Sequence, residues 1–422
     1  MIYIAGGSDD LGGYANQVWK PEFLKFINMK SLLRKGMIFA FLTAIIFSSC
    51  SKKEAHSTNL VITPPPPPSP PPPPSAIPCT NRPVINARLV PMGSLSEGRI
   101  GLVSATAGNK ILFAGGMITG AYSSRVDIYD TTTNTWSTAE LTKPERQGMA
   151  VATVGNKIFF AGGGDNDWGV TTSRVDIYNA SDNTWSTAEL SKAREYMAAA
   201  TLGNKVFFAG GGDWEPHLIG SNVVDIYDNS TNTWTTASLS EGRMDLSATS
   251  VNNKIYFAGG TSGYWTSLNI LKTIDIFDRA TNSWSTSSLQ EPRAQMASIA
   301  AGNKIYWGSG INSNTFGYSN VVEIRDVTTG VSSSACMIPR SMFSAVVKDD
   351  NIIFFTGNIS NDSFSGTHFE IYNTTTNQWS TGVLNKKIND ATIISVNNTI
   401  YIAGGRDQPW GPYFKEVWKL EF

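Results

Sequence analysis

Charge is what this sequence has least of. Charged residues make up 16%, and 33 Lys and Arg against 34 Asp and Glu leave a formal net charge of −1. Without a basic excess or a Lys/Arg run, neither nucleic acid nor an anionic membrane surface is an expected electrostatic partner. Cysteine and histidine are scarce too, at three each, and no zinc-ligand spacing appears. No Ser/His/Asp signature or phosphate-cradling Gly loop is present either. Long apolar runs are missing as well. The best candidate, Met37–Phe47, is broken by Thr43 and is too short for a comfortable membrane-spanning helix. What the chain has instead is 11% aromatic residues and 38 Gly, with many Ser, Thr and Asn. That mixture suits short strands joined by tight turns rather than helices. A length of 422 residues could hold two or three ordinary domains, although all-β repeat folds often use it for one.

Residues 29–49 read as an export signal. Lys30, Arg34 and Lys35 form a basic start, Met37–Phe47 the apolar core, and Ser48 and Ser49 precede Cys50. A small residue directly before Cys resembles the lipobox of bacterial lipoproteins, in which the Cys is acylated and becomes the mature N-terminus. The resemblance implies lipidation at Cys50, and Phe47 departs from the usual Leu. The "CSKKE" start is similar to lipoproteins of Bacteroidetes-type bacteria, and Ser51 fits outer-membrane sorting. An ordinary signal peptide or weak membrane anchor is the alternative. Residues 50–83 form a linker, and the prolines of 64–74 set φ and remove backbone donors. A polyproline II stalk of roughly 34 Å is expected there. Cys79 and Cys336 are expected to be two unrelated thiols, although an oxidising compartment would permit a bridge.

The rest of the chain repeats. "GNKILFAGG", "GNKIFFAGGG", "GNKVFFAGGG" and "NNKIYFAGG" are each followed by an alternating strand such as "RVDIYDTTTNTWST". The double Gly begins at 115, 162, 210 and 259, and weaker versions carry Ser309, Gly357 and Gly404 there, at spacings of 47 to 50 residues. Each unit reads as four short strands separated by Gly-Asn, Asn-Asn and Asp-x-x-Thr-Asn turns. Four-stranded units at this period predict a β-propeller.

The double Gly with a spaced Tyr and Trp resembles the kelch repeat. Here these are Gly115–Gly116, Tyr129 and Trp136, then Tyr178 and Trp185, Tyr227 and Trp234, Phe277 and Trp284, and Tyr372 and Trp379. The fifth unit departs, with Ser309, Arg325 and Ser332 at the marker positions. The resemblance covers about 330 residues and implies an all-β, seven-bladed kelch-type propeller over 84–422. The Tyr and Trp are expected to fill the space between blades. The seventh unit stops one strand short after "EVWKLEF", and residues near 86–95 are expected to complete it from the N-terminal side.

Two candidate ligand surfaces follow. Loops after the double Gly carry Trp168, Trp214, Tyr264, Trp265, Phe316, Tyr318, Trp410 and Tyr413, whose flat faces beside Asp and Asn suit sugar rings or protein side chains. Between units, Arg99, Arg146, Arg194, Arg243, Arg293 and Arg340 recur at equivalent positions, with Lys387 in the seventh. Resemblance to an animal kelch adaptor implies that such arginines could bind acidic peptides. Pairing with Glu97, Glu145 or backbone carbonyls is the structural alternative.

The expected function is a membrane-anchored binding module for a glycan or protein at the cell envelope. It would be a monomeric outer-membrane lipoprotein facing the periplasm or the surface, touching the membrane through its lipid only. No catalytic residue, metal or cofactor is assigned. A carbohydrate-active enzyme similar to sialic-acid mutarotase is the alternative. A copper centre like that of galactose oxidase is disfavoured, because the domain has only His217 and His368 and no matched copper motif. Residues 1–28 nearly copy the chain's last strands and sit ahead of the signal. They are expected to be the tail of an adjacent paralogous gene, with a spare strand pair as the alternative.

Overall fold

In a computed structural model, the structure describes residues 81–143, 146–164, 170–213, 219–263, 269–312, 317–341, 344–355, 358–359, 366–408 and 411–422. They belong to the second of two compact units, Pro70–Phe422. The leader at 1–28, the signal, Cys50, Cys79 and the proline run lie outside the described residues.

The turns explain why short strands form. The first hairpin of a unit turns through left-handed residues such as Asn252 (φ 48°) and Asn253 (φ 61°), the geometry that Asn and Gly tolerate best. The second hairpin uses the Asp-x-x-Thr-Asn signal. Asp130 Oδ1 accepts the Thr132 and Thr133 amides at 2.8 and 3.1 Å, and Asn134 then takes φ 56°. The Tyr129 hydroxyl donates to Asn134 Oδ1 at 2.7 Å, which ties the turn to the strand. Tyr178–Asn183, Tyr227–Asn232 and Tyr372–Asn377 repeat that bond.

Between these turns, Val103–Ala107, Lys110–Ala114, Arg125–Asp130 and Thr135–Glu140 pair antiparallel in sequence order. The same order recurs in the sheets that begin at Ala150, Glu195, Ser247 and Ala297. Two further sets, Ser344–Lys348 to Gln378–Leu384 and Thr392–Val396 to Glu416–Glu421, are joined by Val84–Ser94 into one eight-stranded sheet. The joining strand runs parallel to the first set from Val84 to Ala87. It runs antiparallel to the second from Arg88 to Ser94, slipping once between Pro91 and Gly93. No helix occurs among the described residues.

The first strands of successive sheets lie side by side, from Val103–Ala107 onward, and Thr392–Val396 returns to Val103–Ala107. The core lies between the sheets. Leu112, Val126 and Ile128 of the first pack against Ile158, Phe160, Tyr178 and Trp185 of the second, and the pattern repeats one sheet on. The marker Tyr and Trp thus fill the inter-sheet space, as expected from sequence. Where the fifth unit has Arg325 for Tyr, its guanidinium lies 5.5 Å over the Trp307 ring and donates to Ser288 O at 2.6 Å. Ser309 replaces the first Gly and keeps its left-handed φ of 46°. Its hydroxyl accepts the Arg340 amide at 2.8 Å, which offsets the strain. Cys336 is disulfide-bonded, so the expectation of unrelated thiols is corrected.

Candidate functional site

The arginine ring is interior. Arg99, Arg194, Arg243, Arg293 and Arg340 are 0% exposed and Arg146 is 1% exposed. Each guanidinium meets a carboxylate on the third strand of its own sheet: Asp127, Asp176, Asp225, Asp275, Glu323 and Glu370 in turn. The carboxylate also accepts a backbone amide two to four residues before the Arg, as Ser191 N does to Asp225 Oδ1 at 2.9 Å, Thr142 N to Asp176 at 3.1 Å and Ile338 N to Glu370 at 2.6 Å. Arg194 bonds the carbonyls of Gly210 and Val223 as well. Burial pulls the Arg99, Arg146, Arg194 and Arg293 guanidinium groups below their ordinary pKa, and the paired carboxylates oppose that. These groups tie the start of each unit to its third strand and present nothing to a ligand. The alternative partners differ too: Glu97 accepts from Ser123 Oγ, and Glu145 lies outside the described residues.

The seventh position needs a second correction. Lys387 does not occupy it. Ile388 does, since its amide donates to Gly366 O at 2.9 Å, the same 22-residue step back that Arg243 N makes to Ser221 O. Trp418 stands where other units have the carboxylate, and both residues join one apolar cluster. An ion pair has been exchanged for a hydrophobic pair, the kind of swap that buried pairs tolerate.

Of the loop aromatics, Trp168, Trp214, Tyr264, Trp265, Phe316 and Trp410 lie outside the described residues. Tyr318 is half-buried and bridges to Ile311. Tyr413 is half-buried too, with its hydroxyl 3.7 Å from Met117 Sδ and its ring 6.0 Å from the Arg406 guanidinium.

A different cluster stands two residues beyond Arg99, Arg146, Arg194, Arg243, Arg293 and Ile388. Gly101, Gly148, Tyr196, Asp245, Gln295 and Asp390 all take a left-handed φ between 53° and 61°. Their backbones hand hydrogen bonds from unit to unit: Tyr196 N to Gly148 O (3.0 Å), Asp245 N to Tyr196 O (3.2 Å) and Gln295 N to Asp245 O (3.0 Å). Gly101 N to Asp390 O (3.2 Å) continues the series across the seventh unit. These residues form an inner rim where the first strands of neighbouring sheets begin, on the double-Gly side.

The rim is chemically uneven. On one side, burial pushes the Asp245 carboxyl up to about 6, and a hydrogen bond to Gln295 opposes the shift. Burial raises the Tyr196 phenol, and the negative charges of Glu195 and Asp245 raise it further. Tyr122 shifts the same way through burial and Glu195. On the other side, Asp390 Oδ2 pairs with Arg406 Nε at 2.7 Å. Ile100, Gly101, Gly116, Met117, Gln147, Asp390 and Arg406 line an open pocket of about 220 Å³ there, and Tyr413 reaches it through Met117. Two phenols, two carboxyls and an amide around one mouth can donate and accept hydrogen bonds in several directions. Among the described residues no group of three or more His, Cys, Asp or Glu could hold a metal ion. Sequence reasoning missed the rim because its positions vary from unit to unit. That variation inside a constant frame was the available signal.

Comparison with known families agrees with the repeat. The kelch motif model matches residues 98–140. A model of the KLHDC2/KLHL20/DRC7 kelch-repeats domain matches residues 148–330. No curated protein matches the chain. A solved structure titled "Structure of YjhT" is similar at 16% identity, over 64% of this chain and 94% of that one, with a TM-score of 0.49. The chain therefore carries kelch repeats at 98–140 and 148–330, within an all-β fold of four-stranded units.

Proposed function

We propose that the chain is a binding module for a glycan or protein, with the ligand seated at the inner rim. The observation that carries this reading is the convergence of Tyr122, Glu195, Tyr196, Asp245 and Gln295, from different sheets, at one mouth. The aromatic loops from Trp168 to Tyr413 follow the double Gly and would supply flat faces around that mouth. The scaffold is a seven-bladed kelch-type propeller whose last blade takes Val84–Ser94 as its outer strand. Pairing of that strand with Glu416–Glu421 and the contact of Thr392–Val396 with Val103–Ala107 support this ring. A lipid on Cys50 and the proline stalk would hold the module at the outer membrane, facing the periplasm or the surface.

A glycan array probed with the intact chain tests the binding reading. Tyr196→Ala with Asp245→Asn should weaken retention at least tenfold while the thermal midpoint stays within a few degrees. Retention unchanged by that pair would remove the rim from the site. Trp214→Ala with Trp410→Ala gives the matching test for the loops. Mass spectrometry of membrane-extracted protein tests the anchor: a lipid on Cys50 is expected, and residues ahead of Cys50 would overturn it.

One observation favours the enzyme reading. A carboxyl near pKa 6 beside the Tyr196 phenol can exchange protons near neutral pH, as sugar mutarotation requires. Turnover of aldoses and sialic acids that disappears in Asp245→Asn would favour catalysis, and silence across the panel would leave binding alone.

A further inference from the structure

We propose that Cys79 is the disulfide partner of Cys336, and that this bridge latches the start of Val84–Ser94 onto the fifth sheet. The sequence has three cysteines, so the partner is Cys50 or Cys79. Arg82, the third residue after Cys79, lies against Cys336. Arg82 donates to the Cys336 carbonyl oxygen, and its guanidinium sits 4.6 Å over the Trp379 ring. Pro83 O then accepts the Thr381 amide at 2.9 Å. Three residues reach at most about 10 Å, which suits a disulfide whose Cα atoms must approach within about 7 Å. Cys50 stands far earlier in the chain and is the residue that the lipobox reading assigns to the lipid.

The position of Cys336 gives the bridge its role. Cys336 ends Ser332–Cys336, the last strand of the fifth sheet. The next segment pairs with the sixth set at Val84–Ala87, and the one after with the seventh at Arg88–Ser94. One short stretch thus crosses the outer strands of three sheets. Val84 is 64% exposed, and only four residue pairs hold the parallel part. Without a covalent stop, a pull from the preceding chain would peel this strand open one pair at a time. With the bridge, that pull ends at Cys336 and the strand is spared. Forming it removes two protons and two electrons from the thiols. A disulfide oxidant takes these up by exchange: the Cys79 thiolate attacks a mixed disulfide at Cys336, the new S–S bond forms, and the oxidant leaves as two thiols.

The full chain, oxidised with glutathione disulfide and digested without reductant, should give one cross-linked peptide pair containing Cys79 and Cys336. A Cys50–Cys336 pair, or free Cys79, would overturn the assignment. Hydrogen exchange then reads the latch. Reduction should speed exchange of the strand's first amides about tenfold in the wild type and leave Cys79→Ser unchanged, with the second to fourth sheets unaffected in both. Equal protection before and after reduction of the wild type would overturn the latching role.

Discussion

A buried guanidinium is costly unless its charge is met, and that fixes what the six arginines can do. Asp225 receives Arg194 and the Ser191 amide together, with no solvent to replace either. Arg194→Met should therefore cost about 3–5 kcal/mol by leaving a buried carboxylate alone. Adding Asp225→Leu should recover most of that loss, since Ile388 and Trp418 fill the same two places without charge. Urea unfolding of the single and double variants measures both. Asp245 carries a prediction of opposite character. Its folded pKa of about 6 lies above the ordinary 3.8, so the folded state holds the proton more tightly. Its contribution is fully present below about pH 4 and is lost as pH rises through 6. Relative to Asp245→Asn, the wild type should lose up to about 3 kcal/mol between pH 4 and pH 7. A pH-independent difference between the two proteins would show that the carboxyl is not perturbed.

Elements were legible wherever one local rule set them. The alternation in "RVDIY", the Asn-rich turns and the Tyr/Trp markers gave strands, hairpins and inter-sheet filling, because each depends on neighbours a few residues away. The arginines are visible in the sequence as a repeated residue that fits either a ligand surface or structural pairing, and the structure gives the pairing. Their partners are the Asp or Glu two places into each third strand, and only the folded sheet brings the pair together. The cue was present in the seventh unit, where Arg and acid are lost together as Ile388 and Trp418. Ile388 itself was missed because Lys387, one residue away, matched by charge. The turns invite a test at this scale. Asn183 holds φ 59° and accepts the Tyr178 hydroxyl at 2.7 Å. Asn183→Ala should cost about 1–2 kcal/mol through left-handed strain and the lost bond. Asn183→Gly should cost less, because Gly keeps the backbone and loses only the bond. Thermal unfolding of the two variants distinguishes these terms.

At the scale of the whole described unit, the same chemistry recurs at the edges of several sheets, so its pH response should be shared. Asp130, Asp228 and Asp278 sit at the ends of equivalent strands. Asp130 and Asp278 are held below the usual carboxylate range first by a lysine hydrogen bond, and Asp228 first by the Ser230 amide. Backbone amides do the same for Asp326, and Thr184 and Asn398 for Asp182 and Asp349. A depressed folded pKa contributes stability above the ordinary 3.8 and loses it as pH falls through the depressed value. All six push in one direction, opposite to Asp245. Each sheet also packs its core against the next, so weakening one interface weakens its neighbours. Below about pH 4 the thermal midpoint should fall steeply, and tryptophan fluorescence and far-ultraviolet circular dichroism should report one coincident transition. Asp228→Asn should make that fall shallower while leaving the transition single. Separate transitions for the two probes would mean that the sheets unfold as independent units and that Val84–Ser94, although paired with two strand sets, does not bind them into one cooperative body.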